Sequence, residues 1–436
     1  MKATKRTTRR KYLVRATLLA GTGVMTTLTG ITAVGVAPAS ASSSKVTLQF
    51  WNAYNTTDKE ATTMQNVVLA KFEKQNPGIK VQSVVVPYAD LEAKFIAAAA
   101  AGNPPALIRS DIAWVPSLAA EGVLLDLTKQ KWAKSILGGA LPGPLSTNLY
   151  NGNYYGVPDD TNTQVFFWNK ADFAAASIAG PPTTLAEVWT DAAALTNKAK
   201  GQFGLGIDGT DVWNVAPYIW SNGGNFTNPS WTSTTGYING SATEATLQDL
   251  VNLDKAGDIG SDFVGGSGSV SGETAFPKGE YAMYIDGPWA YPTYSAEKFT
   301  TPADYGMELM PSGPGGTVST VGGEDLVIAK DVQNLPQVEK LATFLTGTYA
   351  QLQMANQGDL AAYKADAAAE VKQQPYLSIF VQQLLTARAR PVAPGYSILD
   401  ADFGAEMQEV LAGNLSVSNA MDTASQEANA ALVANS

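Results

Sequence analysis

The residues best placed to do chemistry in this sequence are aromatic rings set beside carboxylates and amides. Phe50-Trp-Asn-Ala-Tyr54, Gly209-Thr-Asp-Val-Trp-Asn214 and Ile285-Asp-Gly-Pro-Trp289 each put a Trp or Tyr close to Asn, Asp or Gly. A flat apolar face next to such groups suits a sugar, whose C–H faces stack while its hydroxyls take paired hydrogen bonds. Any one ring taken alone is more often a core residue; the repetition carries the reading. Covalent chemistry has little to work with. The chain has neither Cys nor His, which removes thiol nucleophiles, disulfides, Cys/His metal sites and every imidazole-based triad. The 39 acidic residues could supply a glycosidase pair, but no spacing picks one out. With no imidazole, and with carboxylates titrating near 4, ligand affinity is expected to stay flat between about pH 6 and 8.

Charge narrows the partners. Seven of the 29 basic residues lie in 1–44 and none of the 39 acidic ones does, so the remainder carries 22 against 39, a net of −17. Beyond residue 44 only Arg109, Arg388 and Arg390 remain as arginines. A body this acidic repels nucleic acid and anionic membrane, and so few arginines argue against an anionic ligand.

The first forty residues read as an address. Lys2 to Arg15 is a basic segment, Ala16–Val36 is mildly apolar, and Ala39-Ser40-Ala41 is a small-x-small cleavage site. Thr8-Arg9-Arg10-Lys11-Tyr12-Leu13 resembles a twin-arginine export signal. The expectation is an exported protein cleaved after Ala41, extracellular or periplasmic. The other reading of Ala16–Val36 is a retained membrane anchor. With no Cys there is no lipoprotein anchor.

The elements that must position the rings alternate. Val46–Trp51 alternates apolar and polar residues as a strand does, and Thr57-Asp-Lys-Glu60 reads as a capping box for a helix carrying Met64, Val68 and Phe72. A strand over Ile79–Val85, a helix over Leu91–Ala101, a short strand at Leu107-Ile108 and a helix over Trp114–Glu121 follow. Such alternation predicts an α/β fold with a parallel, doubly wound sheet. Residues 150–320 are richer in aromatics, Gly and Asn. Gly265–Gly272 lacks the Lys of a phosphate-binding loop and reads as a flexible connection. After about Gln337 the chain is helical again, ending in an amphipathic segment over Leu415–Leu432.

The order of motifs resembles the extracellular solute-binding proteins of ATP-driven importers, specifically the maltose-binding-protein-like sugar binders. Its pieces are Leu48-Gln-Phe-Trp51, Phe72-Glu-Lys-Gln-Asn-Pro-Gly-Ile-Lys-Val81, Ala101-Gly-Asn-Pro-Pro105, Tyr155-Gly-Val-Pro158 and Trp168-Asn-Lys170. The most specific is Phe276-Pro-Lys-Gly-Glu-Tyr-Ala-Met-Tyr-Ile-Asp-Gly-Pro-Trp289, followed by Gly322-Gly323, Arg390-Pro391 and Pro394-Gly-Tyr396. One departure is Ala106 after Pro105, where many members of the family have Asp.

The resemblance implies two α/β lobes of the type II periplasmic-binding-protein fold, a hinge of crossing strands and a ligand cleft between the lobes. It places the crossings near Asp160–Gln164, Thr320–Glu324 and Asn356–Ala361. After the export signal at 1–41, the first lobe comprises 42–160 and 323–357, and the second 161–322 and 358–436. Ligand contacts are expected from Asn52, Tyr54, Asp111, Trp114, Asp160, Asn162 and Glu324, and from Asp211, Trp213, Trp289 and Tyr396. Within that set, Trp213, Trp289 and Tyr396 are expected to stack on sugar faces, with Asp111, Asp160, Asn162 and Asp211 bonding hydroxyls. The implied function is non-enzymatic: a monomer that binds a neutral sugar or oligosaccharide without a cofactor and delivers it to the membrane subunits of an ABC permease. Another solute in the same fold, such as glycerol phosphate or a polyamine, or a secreted glycosidase, are the alternatives.

Overall fold

A computed structural model describes residues 45–56, 59–265, 269–296 and 304–434. The export segment, the Thr57 end of the expected capping box and part of the Gly265–Gly272 connection lie outside the described residues. Within them, no helix is long and apolar enough to cross a membrane.

A first sheet runs in the order Ile79–Val85, Val46–Asn52, Leu107–Asp111, Glu324–Val327, Gly156–Pro158. Its first three strands are parallel, and the two that arrive later in the chain join antiparallel. The sheet is therefore mixed, not purely parallel, because Glu324–Val327 enters from a crossing strand instead of from a helix. Alternation in Val46–Asn52 turns Leu48 and Phe50 inward. The helix after it carries a π-helical stretch, Met64–Leu69, between α-helical Glu60–Thr63 and Ala70–Gln75, and buries Met64, Val68, Leu69 and Phe72. These pack with Leu341, Leu345 and Met354 from late helices, so this core joins both ends of a long stretch of chain. Leu107–Asp111 extends further than its apolar pair predicts, and every one of its residues is buried.

A second sheet runs in the order Tyr305–Glu308, Val165–Asn169, Tyr281–Asp286, Phe203–Leu205. Its larger core gathers Val212, Tyr218 and Trp220 with Leu399, Phe403, Met421 and Leu432 of the last two helices. Between the two lies a third, narrow sheet in the order Leu360–Ala361, Asp160–Thr163, Thr320–Gly322, Arg388–Ala389. Asp160–Thr163 leads from Gly156–Pro158 of the first sheet to Val165–Asn169 of the second, and Thr320–Gly322 leads back to Glu324–Val327. Two α/β lobes are thus joined through a small sheet of crossing strands, the geometry of a hinge.

Candidate functional site

A cavity of about 530 Å³ opens at the crossing sheet, with walls drawn from both lobes. Its base is built around Arg109, on the buried strand Leu107–Asp111. A guanidinium in such a strand must be paired, and five carboxylates lie within 4 Å of it: Asp160 at 2.6 Å, Glu324 at 3.0 Å, Asp159 and Asp359 at 3.3 Å, and Glu60 at 3.8 Å. The ring of Tyr54 lies beneath it, 4.4 Å from the guanidinium carbon. Asp160 sits at the first crossing, Glu324 just after the second and Asp359 just before the third. One side chain thereby ties all three connections together. Burial pushes Glu324 and Asp359 well above the usual carboxylate range, and lifts Asp159 to about 7 despite Arg109.

The second ion pair spans the lobes. Arg390, just after Arg388–Ala389, donates to both oxygens of Asp111, at 2.8 and 2.9 Å. Asp111 also accepts from the backbone N–H of Ala113 at 2.6 Å and from the Tyr88 hydroxyl at 2.8 Å. Its carboxylate is fully used by the protein, and its geometry holds Arg390 in place. Tyr396 lies under Arg390, 5.7 Å from ring centroid to guanidinium carbon.

Two Trp rings face the cavity from the second lobe. Asp211 caps the helix Val212–Ser221, accepting from Asn214 N–H at 3.3 Å, and this places Trp213 in the first turn. Trp289 follows the end of Tyr281–Asp286, where Asp286 accepts from Gly287 N–H at 2.7 Å and from the Tyr294 hydroxyl at 2.5 Å. The rings are near-parallel, 27° apart with centroids 6.5 Å distant. Both lie over glycine: a Cβ on Gly287 would come within 2.2 Å of the Trp289 ring, and one on Gly322 within 2.7 Å of the Trp213 ring. Trp289 Nε1 donates to Glu273 at 2.8 Å. Asp400 accepts from Val212 N–H at 2.7 Å, and burial lifts it to about 6.

Of the residues singled out from the sequence, Asp111, Asn162, Asp211, Trp213, Trp289 and Glu324 line this cavity. The others stand behind the wall. Asn52 is fully buried and donates to Ser83, and Tyr54 and Tyr396 are the floors beneath the two guanidiniums. Trp114 belongs to the first lobe's core with its ring 4.9 Å from that of Tyr88, and Asp160 is spent on Arg109. Sequence reasoning missed Arg109, Arg390, Tyr88, Glu60, Glu273, Asp359 and Asp400, all of which line the cavity. A signal for Arg109 was available: a charge in the middle of Leu-Ile-Arg-Ser, a run destined for burial, demands partners. The expectation of flat affinity between pH 6 and 8 loses its premise, since burial lifts Asp159 and Asp400 into that window.

Among the described residues no group of three or more carboxylates is arranged to hold a metal ion. Residues 68–378 match the family model for bacterial extracellular solute-binding proteins. This chain belongs to that family. A binding protein of Brucella abortus is 26% identical over 348 residues, spanning 78% of this chain and 83% of the relative. Among solved structures, the GacH receptor of Streptomyces glaucescens, determined unliganded and with acarbose, superposes with a TM-score of 0.81. It is 25% identical, with 89% of this chain and 99% of that one covered. A solute-binding protein of Thermotoga lettingae bound with tagatose gives a TM-score of 0.80 at 22% identity, covering 89% and 100% of the two chains. In this solute-binding protein the candidate site is walled by residues of both lobes.

Proposed function

We propose that this protein binds a sugar or short oligosaccharide in the cavity at the hinge, by closure of its lobes, and delivers it to the membrane subunits of an ATP-driven importer. The observation that carries the reading is the pair of near-parallel Trp rings facing amide and carboxylate groups across a cavity of about 530 Å³. That volume falls within the usual span of small-ligand pockets. The acarbose complex of the GacH receptor supports it. The reading includes a monomeric binder without catalysis, an export segment removed after Ala41, and lobes drawn from 42–160 with 323–357 and from 161–322 with 358–436. Sheet membership and core packing support that division except at Ala362–Lys364, which pack on and bond to Gly139–Leu141 of the first lobe. The direct test is a thermal-shift screen of the mature protein against glucose, maltose, maltotriose, cellobiose, tagatose and acarbose, with an assay for new reducing ends. A ligand at 100 times its Kd stabilises by about 2.7 kcal/mol, so a binder is expected to melt later and leave the sugar intact. No shift with any saccharide overturns sugar binding, and new reducing ends overturn the non-enzymatic reading.

A further inference from the structure

Trp289 is gripped at three points. Its six-membered ring lies against Gly287. Its backbone packs on Gly358, next to the third crossing, where a Cβ would come within 2.6 Å of the Trp289 N and Cα. Its Nε1 donates to Glu273 at 2.8 Å. The first two contacts place the ring, and the third fixes its tilt.

Glu273 stands on a one-turn helix, Gly272–Ala275. So short a helix cannot hold itself, because its first N–H groups lack intrahelical partners and nucleation costs more than one turn returns. Ser271, at the N-cap position, gives no side-chain cap. Asp208, 64 residues earlier, supplies the missing acceptor: its carboxylate accepts from Gly272 N–H at 2.7 Å and from the Tyr284 hydroxyl at 2.7 Å. Burial lifts Asp208 to about 6, so near pH 7.5 it is ionised and acts only as an acceptor. Gly272 lies so close to Tyr284 that a Cβ there would run into the ring. Tyr284 belongs to Tyr281–Asp286, the strand that leads to Trp289. Asp208 thus pins the short helix to that strand, yet it is not among the residues lining the cavity.

From this we infer that Glu273 and Asp208 are positioning residues for the sugar site: Glu273 fixes the plane of the Trp289 ring, and Asp208 fixes Glu273 from outside the cavity. The effect on affinity rests on the sugar-binding reading above; the ordering of the ring needs no ligand. A ring already held in place gives up no rotamer freedom when the sugar arrives, which is worth about 3- to 10-fold in affinity.

The experiment follows the Trp289 indole N–H by nitrogen-15 NMR on the unliganded mature protein near pH 7.5, its resonance identified by its loss in Trp289→Phe. The heteronuclear NOE of that group reports fast motion of the ring. It is expected to fall in Glu273→Ala and in Asp208→Ala, and to hold in Glu273→Gln, which keeps an acceptor oxygen. Calorimetry with the six saccharides named above should then show binding weakened about 3- to 10-fold by either Ala variant. In Trp289→Phe, which has no indole donor, Glu273→Ala should cost nothing further. Glu273→Ala leaves the Asp208 contacts in place, so it decides the matter if Asp208→Ala fails to fold. An indole as rigid in Glu273→Ala as in wild type overturns the inference, whatever the sugars do. An indole that stays rigid in folded Asp208→Ala removes Asp208 from it, and a loosened ring with unchanged affinity overturns its bearing on binding. If no saccharide binds, the sugar reading falls, while the NOE still decides whether the two carboxylates position the ring.

Discussion

Replacing Arg109 with Gln tests the logic of the hinge most directly. The variant keeps a side chain of similar reach but leaves Asp159, Asp160, Glu324 and Asp359 facing one another without the cation that now lies within 3.3 Å of each. Removing one partner of a buried ion pair costs about 3–5 kcal/mol, because a buried charge is left uncompensated. At about 2.1 cal/mol/K per residue, a body of roughly 390 residues unfolds with an entropy near 0.8 kcal/mol/K, so Tm should fall by about 4–6 °C. The deficit should depend on pH in a stated direction. Burial already holds Asp159 at about 7, and Glu324 and Asp359 are raised as well. A carboxylate whose folded pKa is raised contributes stability below its unfolded value near 4, and that contribution is lost as pH rises through the folded value. Acidification from pH 8 to pH 5 lets these groups bind protons in place of the missing guanidinium, so the variant should recover toward wild type. Differential scanning calorimetry across that range reads both quantities. Adding Glu324→Gln to Arg109→Gln should restore part of the loss at pH 8 by removing one orphaned charge. A single variant that melts within about 1 °C of wild type at pH 8, or whose deficit grows on acidification, would refute the argument.

Three further outcomes are expected. Trp289→Ala should weaken sugar binding by about 2–4 kcal/mol, roughly 30- to 1000-fold by calorimetry, with the unliganded Tm held near wild type; an early-melting variant that binds normally would make the ring structural. Unliganded wild type should melt higher at pH 5 than at pH 8, since burial lifts Glu92, Asp159 and Glu370 to about 7 and Asp208 and Asp400 to about 6, and that contribution is lost as pH rises through these values; a scanning-fluorimetry profile that rises toward pH 8 would contradict it. Small-angle scattering should show a smaller radius of gyration on adding the bound sugar, because hinge closure is how two such lobes engulf a ligand; an unchanged radius with saturated binding would mean a rigid site.

The sequence was most legible where one local pattern decides one outcome. Alternation sets the inward face of Val46–Asn52, and Asp-Gly-Pro ahead of Trp289 leaves that ring at the end of a strand. It was least legible where a residue's role depends on distant chain. Tyr54, Tyr396 and Trp213 look alike in composition and neighbours, and each ring lies under a guanidinium, at 4.4 Å from Arg109 and at 5.7 and 5.4 Å from Arg390, yet only Trp213 also lines the cavity. Asp111 resembles a ligand group until Arg390, 279 residues later, takes both its oxygens. The scarcity of arginine argued against an anionic ligand, and the two buried ones are indeed consumed by carboxylates. That same scarcity hid their structural importance.

The reach of Arg109 also bears on how the molecule comes into being. During synthesis it emerges some 250 residues before Asp359, and the first lobe's core still lacks Leu341, Leu345 and Met354 at that stage. The second lobe is no earlier, since its core waits for Met421 and Leu432. The first half cannot seal before Met354 is made, nor the second before Leu432. Closing such long loops makes for high contact order and slow acquisition of structure. Until the final helix docks, the apolar face of the second lobe stays open to wrong partners. A nascent chain stalled short of Val417–Ala434 would therefore carry the second lobe's unfinished core as exposed surface, and would need a chaperone's shelter until translation ends.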